Sequence, residues 1–264
     1  MSRAKDLPPF LEMEHVSVAR GEAMVLHDVC LRIAQGEQMT ILGPNGCGKS
    51  TLIKTMTREC YPIAQEGSAM RMLGRERWVV TELRQSLGIV ETELATGRVR
   101  ESRGREVVVA GLFGTATLWP YQTVTAAMWE RAEAALNKLG ALSLAEKPLG
   151  QMSAGEARRV LIARALVSEP IMLLLDEPSN ALDLAAQQEL RESLRRVAQQ
   201  GIGILLVTHH LADILPEMDR VLMMRAGRVY ADGPKGELLT EAKLSELFGV
   251  AVKLSERNGC FYAW

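Results

Sequence analysis

The chain has 264 residues and a formal net charge of −1, because 31 Lys and Arg residues nearly balance 32 Asp and Glu residues. This length allows a domain with a large core, and the charge balance lacks the basic excess typical of nucleic-acid-binding proteins, so we expect no direct nucleic-acid partner. No apolar run approaches the roughly 20 residues of a membrane helix, and the N-terminus lacks the apolar stretch of a secretory signal, so a soluble chain is expected.

The front of the chain is predicted to be mostly β. Residues 1–10 are expected to be a flexible N-terminus. Residues 11–42 then alternate apolar and polar positions around two turn-like segments, Ala19–Glu22 and Gln35–Glu37. We predict two or three antiparallel strands that lead into a short strand, Met39–Leu42.

A glycine loop follows that strand and precedes a predicted helix from Lys49 to about Arg58. Its sequence GPNGCGKS fits the phosphate-binding pattern GxxxxGK(S/T) at every fixed position, in the strand-loop-helix context that the mechanism requires. Backbone amides of such a loop surround phosphates, the lysine reaches the outer phosphates, and the serine hydroxyl can bind magnesium. The predicted nucleotide-binding residues here are Gly43, Pro44, Asn45, Gly46, Cys47, Gly48, Lys49, Ser50 and Thr51.

Residues 97–168 are predicted to be mainly helical. One helix has an apolar face at Met128, Trp129, Ala132, Leu136 and Leu139, and Gly140 is a plausible C-terminal stop. A second helix begins in the segment QMSAGEARR, where Ser153 and Glu156 have the spacing of a capping box. A helix N-terminus also binds anions, so this segment is either a helix cap alone or half of a nucleotide site.

Two short apolar runs, Ile171–Leu175 and Ile202–Val207, are predicted to be buried parallel strands. The helix between them is expected to bury an inner face made of four apolar residues: Leu184, Leu190, Leu194 and Val197. A hairpin around Ala226-Gly227 and a short helix near residues 236–248 are expected to complete the chain.

Polar residues follow both buried strands, at the edge where parallel sheets bind ligands. Burying charge without a partner is costly, so we expect Asp176 to hold magnesium through water and Glu177 to be the general base for water attack. We expect His209 to contact a γ-phosphate. A histidine at such a position is more often structural than catalytic, but the pair His209-His210 favours the functional interpretation.

These motifs resemble those of ABC transporter ATP-binding subunits over nearly the whole chain. Gly43–Thr51 is similar to the Walker A loop, Leu173–Glu177 to the Walker B strand, and His209 to the switch histidine. Asn180–Asp183 is similar to the D-loop. The segment Met152–Glu156 resembles the signature LSGGQ, with Met, Ala and Glu replacing Leu, the first Gly and Gln.

The resemblance implies an α/β fold of ABC type, with a P-loop NTPase core, an N-terminal antiparallel β-subdomain and a helical subdomain. Residues 11–264 would form the ATPase domain, with a core lobe (11–94 and 166–235), a helical subdomain (95–165) and a C-terminal extension (236–264). It also implies ATP and Mg²⁺ as cofactors. Two copies, or a pair of related subunits, would dimerise on ATP, with each signature on the partner's nucleotide; the contacts would come from Ser153, Ala154, Gly155, Glu156 and Asp183.

Two positions depart from the family pattern. Arg20 stands where an aromatic residue usually stacks on adenine, although a guanidinium can also stack on a flat ring. Thr92 stands where the family has a glutamine that helps to ligate magnesium; its hydroxyl, or Glu91 or Glu93, could substitute. We therefore expect magnesium-ATP binding, whereas fast hydrolysis depends on whether one of these side chains replaces the glutamine.

The leading interpretation is an ATPase subunit on the cytoplasmic face of the membrane that energises transmembrane permease subunits. The segment Glu106–Gly114 resembles a region of importers for iron-siderophore, cobalamin and molybdenum compounds, or is simply an apolar helix. A soluble ABC ATPase acting on a protein or nucleic-acid partner remains the alternative. A small-molecule kinase shares the phosphate loop but needs neither signature nor D-loop.

Overall fold

The computed structural model describes residues 7–79, 82–83, 86–90 and 97–264. The chain divides into two compact units, Met1–Val80 with Gly203–Trp264, and Thr81–Ile202. The described helices and strands are β1 (Leu11–Arg20), β2 (Ala23–Ile33), β3 (Gln38–Leu42), α1 (Lys49–Met56), β4 (Ala69–Met72), β5 (Leu87–Val90), α2 (Gly104–Ala110), α3 (Ala126–Lys138), α4 (Ala154–Leu166), β6 (Met172–Asp176), α5 (Leu184–Gln199), β7 (Gly203–Thr208), β8 (Arg220–Arg225), β9 (Arg228–Pro234), α6 (Lys235–Leu238), α7 (Glu241–Phe248), β10 (Leu254–Arg257) and β11 (Cys260–Ala263).

The first unit contains the predicted antiparallel β-subdomain. Its three strands lie in the order β2-β1-β4, with Leu11 opposite both Ile33 of β2 and Met72 of β4. These three side chains are fully buried, because inward positions alternate along a strand with a period of two. The prediction of an antiparallel β-subdomain at the front of the chain is confirmed.

The same unit holds a mixed sheet with β3 at its centre. The strands lie in the order β7-β3-β8-β9, where β3 runs parallel to β7 and β8, and β9 returns antiparallel to β8. In the register of this sheet Leu42 pairs with Thr208. The carboxyl ends of β3 and β7 therefore lie at one edge of the sheet. The glycine loop follows β3 at this edge, and His209 follows β7.

The C-terminal part of this unit differs from the sequence-based expectation. The single helix expected near residues 236–248 is two helices, α6 and α7, and Thr240 begins the second by accepting a hydrogen bond from the Lys243 amide. The antiparallel hairpin β10–β11 was not predicted at all. Its turn is Asn258-Gly259, with φ of 53° and 74°, and Asn-Gly is a strong hairpin signal that the sequence did contain.

Among its described residues, the second unit combines the parallel pair β5–β6 with the helices α2 to α5. The predicted face of α3 is confirmed in its central part, where Ala132 and Leu136 are fully buried. On α5, Leu190, Leu194 and Val197 are buried as expected, but Leu184 is 82% exposed. That assignment was wrong because Leu184 is the first residue after the N-cap Asp183, before the helix turns its apolar face inward.

The predicted α/β fold is confirmed by these elements. Across the described ranges, every helix is either too short or too polar to cross a membrane.

Candidate functional site

The glycine loop closes around the amino group of Lys49. Strand β3 ends at Leu42 and α1 begins at Lys49. The Lys49 Nζ atom donates hydrogen bonds to the carbonyl oxygens of Gly43 at 2.7 Å and Pro44 at 3.0 Å. With the lysine only 4% exposed, its charge is held inside the loop, where a phosphate oxygen can replace a carbonyl as its partner.

Two glycines of the loop cannot be replaced without distortion. Gly48, the residue before α1, has a φ of 105°, and a Cβ atom there would lie 2.8 Å from Leu26 Cδ2. A Cβ on Gly43 would lie 2.4 Å from the Met224 carbonyl oxygen. The left-handed backbone at Gly48 turns the loop directly into the helix N-terminus, where free amides favour an anion. Asn45, Gly46 and Ser50 are exposed around this opening.

Gly227, which the sequence predicted only as part of a hairpin turn, stabilises the glycine loop through contacts from a distant part of the chain. The Gly227 amide donates to the Cys47 carbonyl at 3.0 Å, and the Gly227 carbonyl accepts from the His27 amide at 2.9 Å. Its φ is 75°, and a Cβ would lie 2.2 Å from the Val25 carbonyl oxygen. The β8–β9 turn thus connects the phosphate loop to β2.

His209 follows β7 in a turn that is stabilised by two buried side chains. The Thr208 hydroxyl donates to Asp213 Oδ2 at 2.9 Å and accepts from the His210 amide at 2.9 Å. Thr208 is fully buried and Asp213 is 5% exposed. This pair was not predicted from the sequence, and it fixes the backbone that carries His209. The ring centroids of His209 and His210 lie 3.9 Å apart.

In the second unit, the two adjacent carboxylates occupy different backbone conformations. Asp176 is the last residue of β6, whereas Glu177 has a φ of 47°, a left-handed conformation that is uncommon for a residue with a side chain. The side-chain amide of Asn180 donates a short hydrogen bond to Glu177 Oε2. Asp183 caps α5 by accepting from the Ala186 amide at 2.8 Å. The Glu177 carboxylate is therefore bound to Asn180 within the same turn.

The signature segment forms the predicted capping box. Ser153 Oγ accepts from the Glu156 amide at 3.2 Å, and Glu156 Oε2 accepts from the Ser153 amide at 2.8 Å. Hydrogen bonds from the Lys147 amino group and the Ser153 amide lower the pKa of the Glu156 carboxyl, because both stabilise its charged form. Ser153 and Ala154 are exposed, whereas Gly155 is buried, and a Cβ there would lie 2.7 Å from Ala186 Cβ.

The remaining predicted residues are less constrained. Arg20 is exposed at the end of β1, beside the turn to β2. Thr92, Glu91 and Glu93 lie outside the described residues. Within the described ranges, no three His, Cys, Asp or Glu side chains form a cluster suited to a metal ion. The donors that sequence reasoning assigned to magnesium, Ser50 and Asp176, are oxygen ligands of the type Mg²⁺ prefers, and such a site uses few protein ligands beside phosphate and water.

Comparison with known proteins identifies the family. A family model described as ABC transporter matches residues 26–180, more than half of the chain. The chain is 31% identical to an uncharacterized ABC transporter ATP-binding protein, YlmA, of Bacillus subtilis, over 92% of both chains. It is also 31% identical to a hemin import ATP-binding protein, HmuV, of Bradyrhizobium diazoefficiens, over 96% of this chain and 93% of that one.

Solved structures share the fold. The cbiO1 protein of Clostridium perfringens, part of the transporter complex cbiONQ, is 27% identical with a TM-score of 0.76, over 90% of this chain and 93% of that one. The ADP conformation of another ATP-binding cassette has a TM-score of 0.78 at 24% identity, over 91% of this chain and 98% of that one. The chain belongs to the ABC transporter family: it is the ATP-binding subunit of a transporter, and it is an ATPase.

Proposed function

We propose that the chain hydrolyses magnesium-ATP to energise an importer of metal chelates, acting on the cytoplasmic face of the membrane. The Gly43–Thr51 loop and Lys49 bind the phosphates. Ser50 and Asp176, with Thr92, would hold magnesium, which when bound would neutralise charge on the transferred phosphate. Glu177 accepts the proton of the attacking water, and His209 contacts the γ-phosphate. Arg20 is the proposed adenine contact.

The observation that carries the ATPase mechanism is the fixed geometry of Lys49 within its loop. Two carbonyl oxygens hold the Lys49 amino group, so little conformational freedom is lost when phosphate binds. The hydrogen bond from the Asn180 side-chain amide likewise restrains the Glu177 carboxylate. Preorganised charges of this type are the main source of rate enhancement in phosphoryl transfer.

Two copies are proposed to act together. The signature turn presents exposed Ser153 and Ala154 at the N-terminus of α4, a helix of 13 residues, and the free amides of a helix N-terminus favour a phosphate. In the dimer, the Ser153 hydroxyl and the Ala154 and Gly155 amides bind the nucleotide held by the other copy, and Asp183 lies at the same interface.

The importer direction rests on the relatives. Several proteins named as hemin import subunits match about nine-tenths or more of this chain. The segment Glu106–Gly114, which resembles metal-chelate importers in sequence, forms α2 and the turn after it. We therefore infer that the permease partner moves a metal chelate inward, with hemin as the first candidate.

A phosphate-release assay tests the general base. Glu177→Gln is expected to lower the turnover number about a hundredfold, the usual scale for loss of a general base, while ATP binding persists. Glu192→Gln, an exposed change on α5, is the matched control and should behave as wild type. Equal phosphate release from wild type and Glu177→Gln would refute the assigned base.

Uptake measurements test the direction of transport. Cells that lack this chain should accumulate less ⁵⁵Fe-hemin than cells carrying it, and the Glu177→Gln chain should not restore uptake. Increased retention of hemin in the deletion strain would indicate export. Unchanged uptake would exclude hemin as the cargo.

A further inference from the structure

The signature of this chain carries a carboxylate, Glu156, three residues from the serine that meets phosphate in the proposed dimer. We propose that Lys147 is a positioning residue that neutralises Glu156 and holds it in the capping box, so that the signature turn can accept the phosphate of a second copy. This inference rests on the ATP-bound dimer of the proposed function.

The geometry shows one carboxylate oxygen with two donors. Glu156 Oε2 accepts from the Ser153 amide at 2.8 Å and from Lys147 Nζ at 2.7 Å. The Glu156 side chain is 26% exposed and the Lys147 side chain 35% exposed, so the ion pair is partly shielded from solvent. Both bonds converge on the same oxygen, and together they fix the carboxylate beside the Ser153 backbone.

Lys147 is itself held in place through its backbone. The Lys147 carbonyl accepts from the Gly104 amide at 3.0 Å, and the Lys147 amide donates to the Leu144 carbonyl at 3.1 Å. A Cβ on Gly104 would lie 2.4 Å from the Leu144 carbonyl oxygen. The start of α2 and the segment before the signature therefore fit closely, which fixes the origin of the lysine side chain.

Two anions would share the signature turn when the phosphate of a second copy binds. A helix N-terminus stabilises one negative charge nearby, but Glu156 and an incoming phosphate would both compete for it. Two negative charges beside the same helix N-terminus repel each other, which lowers the affinity for the phosphate. The Lys147 ammonium removes this repulsion and leaves the capping hydrogen bond of Glu156 intact.

A double-mutant cycle on the full chain tests the proposal by steady-state ATP hydrolysis and by ATP-dependent dimerisation. Lys147→Met is expected to lower kcat/KM for ATP about tenfold, because the Glu156 carboxylate beside the phosphate then loses its hydrogen-bonded cation. In the Glu156→Gln background, Lys147→Met should change kcat/KM less than about twofold, since there is no charge to neutralise. Lys147→Arg should retain the wild-type value, and Lys147→Gln should not. Lys138→Met, an equal loss of charge in the same unit, is the control.

Each outcome decides the proposal. An equal loss from Lys147→Met in both backgrounds, or no loss in the wild-type background, would refute the role of Lys147 while leaving the ATPase function standing. If Lys147→Met fails to fold in a thermal melt, the comparison of Lys147→Arg with Lys147→Gln decides. Absence of both ATP hydrolysis and ATP-dependent dimerisation in the wild type would refute the proposed function, and this inference with it.

Discussion

At the scale of single residues, the candidate site depends on side chains that hold other side chains. Lys147 contacts Glu156 in the signature turn, and Asp213 contacts Thr208 beneath His209. Asp213 is 5% exposed and Thr208 is fully buried, so removal of either side chain deletes the buried hydrogen bond between them. Loss of a buried hydrogen bond to a charged group costs about 1–3 kcal/mol.

Asp213→Ala is therefore expected to reduce both stability and turnover. We expect a loss of about 1–3 kcal/mol in the free energy of unfolding. The turnover number should fall about tenfold, on the scale of a small misplacement of a reacting group, with the KM for ATP nearly unchanged. Asp213→Asn keeps an acceptor for the Thr208 hydroxyl and should recover most of the turnover, while the exposed change Asp219→Ala is the control. A normal turnover number for a folded Asp213→Ala chain would show that the pair does not position His209.

At the scale of elements, the hairpin β10–β11 adds a layer beside the loop that carries His209. His209 and His210 line a cavity of about 310 Å³ together with residues of α7 and the C-terminal strand, among them Phe248 and Tyr262. The hairpin is tied to α7, since the Leu254 amide donates to Glu241 Oε1 at 3.1 Å. Phe261 at the centre of β11 is only 5% exposed, so the hairpin is part of the packed unit.

Phe261→Ala should weaken this layer. Loss of a buried phenyl group costs about 3–5 kcal/mol where the site cannot collapse, so chemical denaturation should show a clear loss of stability. The turnover number should fall while ATP binding is retained, because the packing lost lies beside the His209 loop and not at the phosphate loop. Trp264→Ala, at a residue 72% exposed, is the aromatic control. Unchanged turnover in a folded Phe261→Ala chain would show that the hairpin does not support catalysis.

At the scale of the whole molecule, the proposed reaction requires two chains. The phosphate loop belongs to one compact unit and the signature turn to the other, and the proposed function pairs each loop with the signature of a second copy. The division of labour predicts that nucleotide binding and hydrolysis respond differently to a change in the signature.

Ser153→Arg should abolish ATP hydrolysis and leave ATP binding by the single chain nearly intact. A bulky side chain at the exposed N-cap would block the second copy, while the residues of the phosphate loop remain unchanged. In the Glu177→Gln background, size-exclusion chromatography with ATP should show a dimer that Ser153→Arg removes, and Ser143→Arg, exposed in the same unit, should not. Loss of ATP binding by the single chain would contradict this division.

The sequence determined the family, the α/β fold and the local motifs, because those depend on residues adjacent in the chain. The spacing of the GPNGCGKS loop and the capping box of Ser153 and Glu156 are examples, since both patterns lie within a few residues. Leu184 was misplaced because periodicity describes a helix face but not where the burial of that face begins. The hairpin at Asn258-Gly259 is a local feature as well, because its Asn-Gly turn signal lies within the sequence itself.

Only the tertiary structure decided which residues support the site. Gly227 binds the Cys47 carbonyl from a distant hairpin, and Lys147 reaches Glu156 because the start of α2 fixes its backbone. Glycine and lysine are common at turns and surfaces, so their type and spacing carry no sign of these contacts. Contacts between segments far apart in the chain form only when the packed core brings their backbones together, and no local pattern encodes that distance.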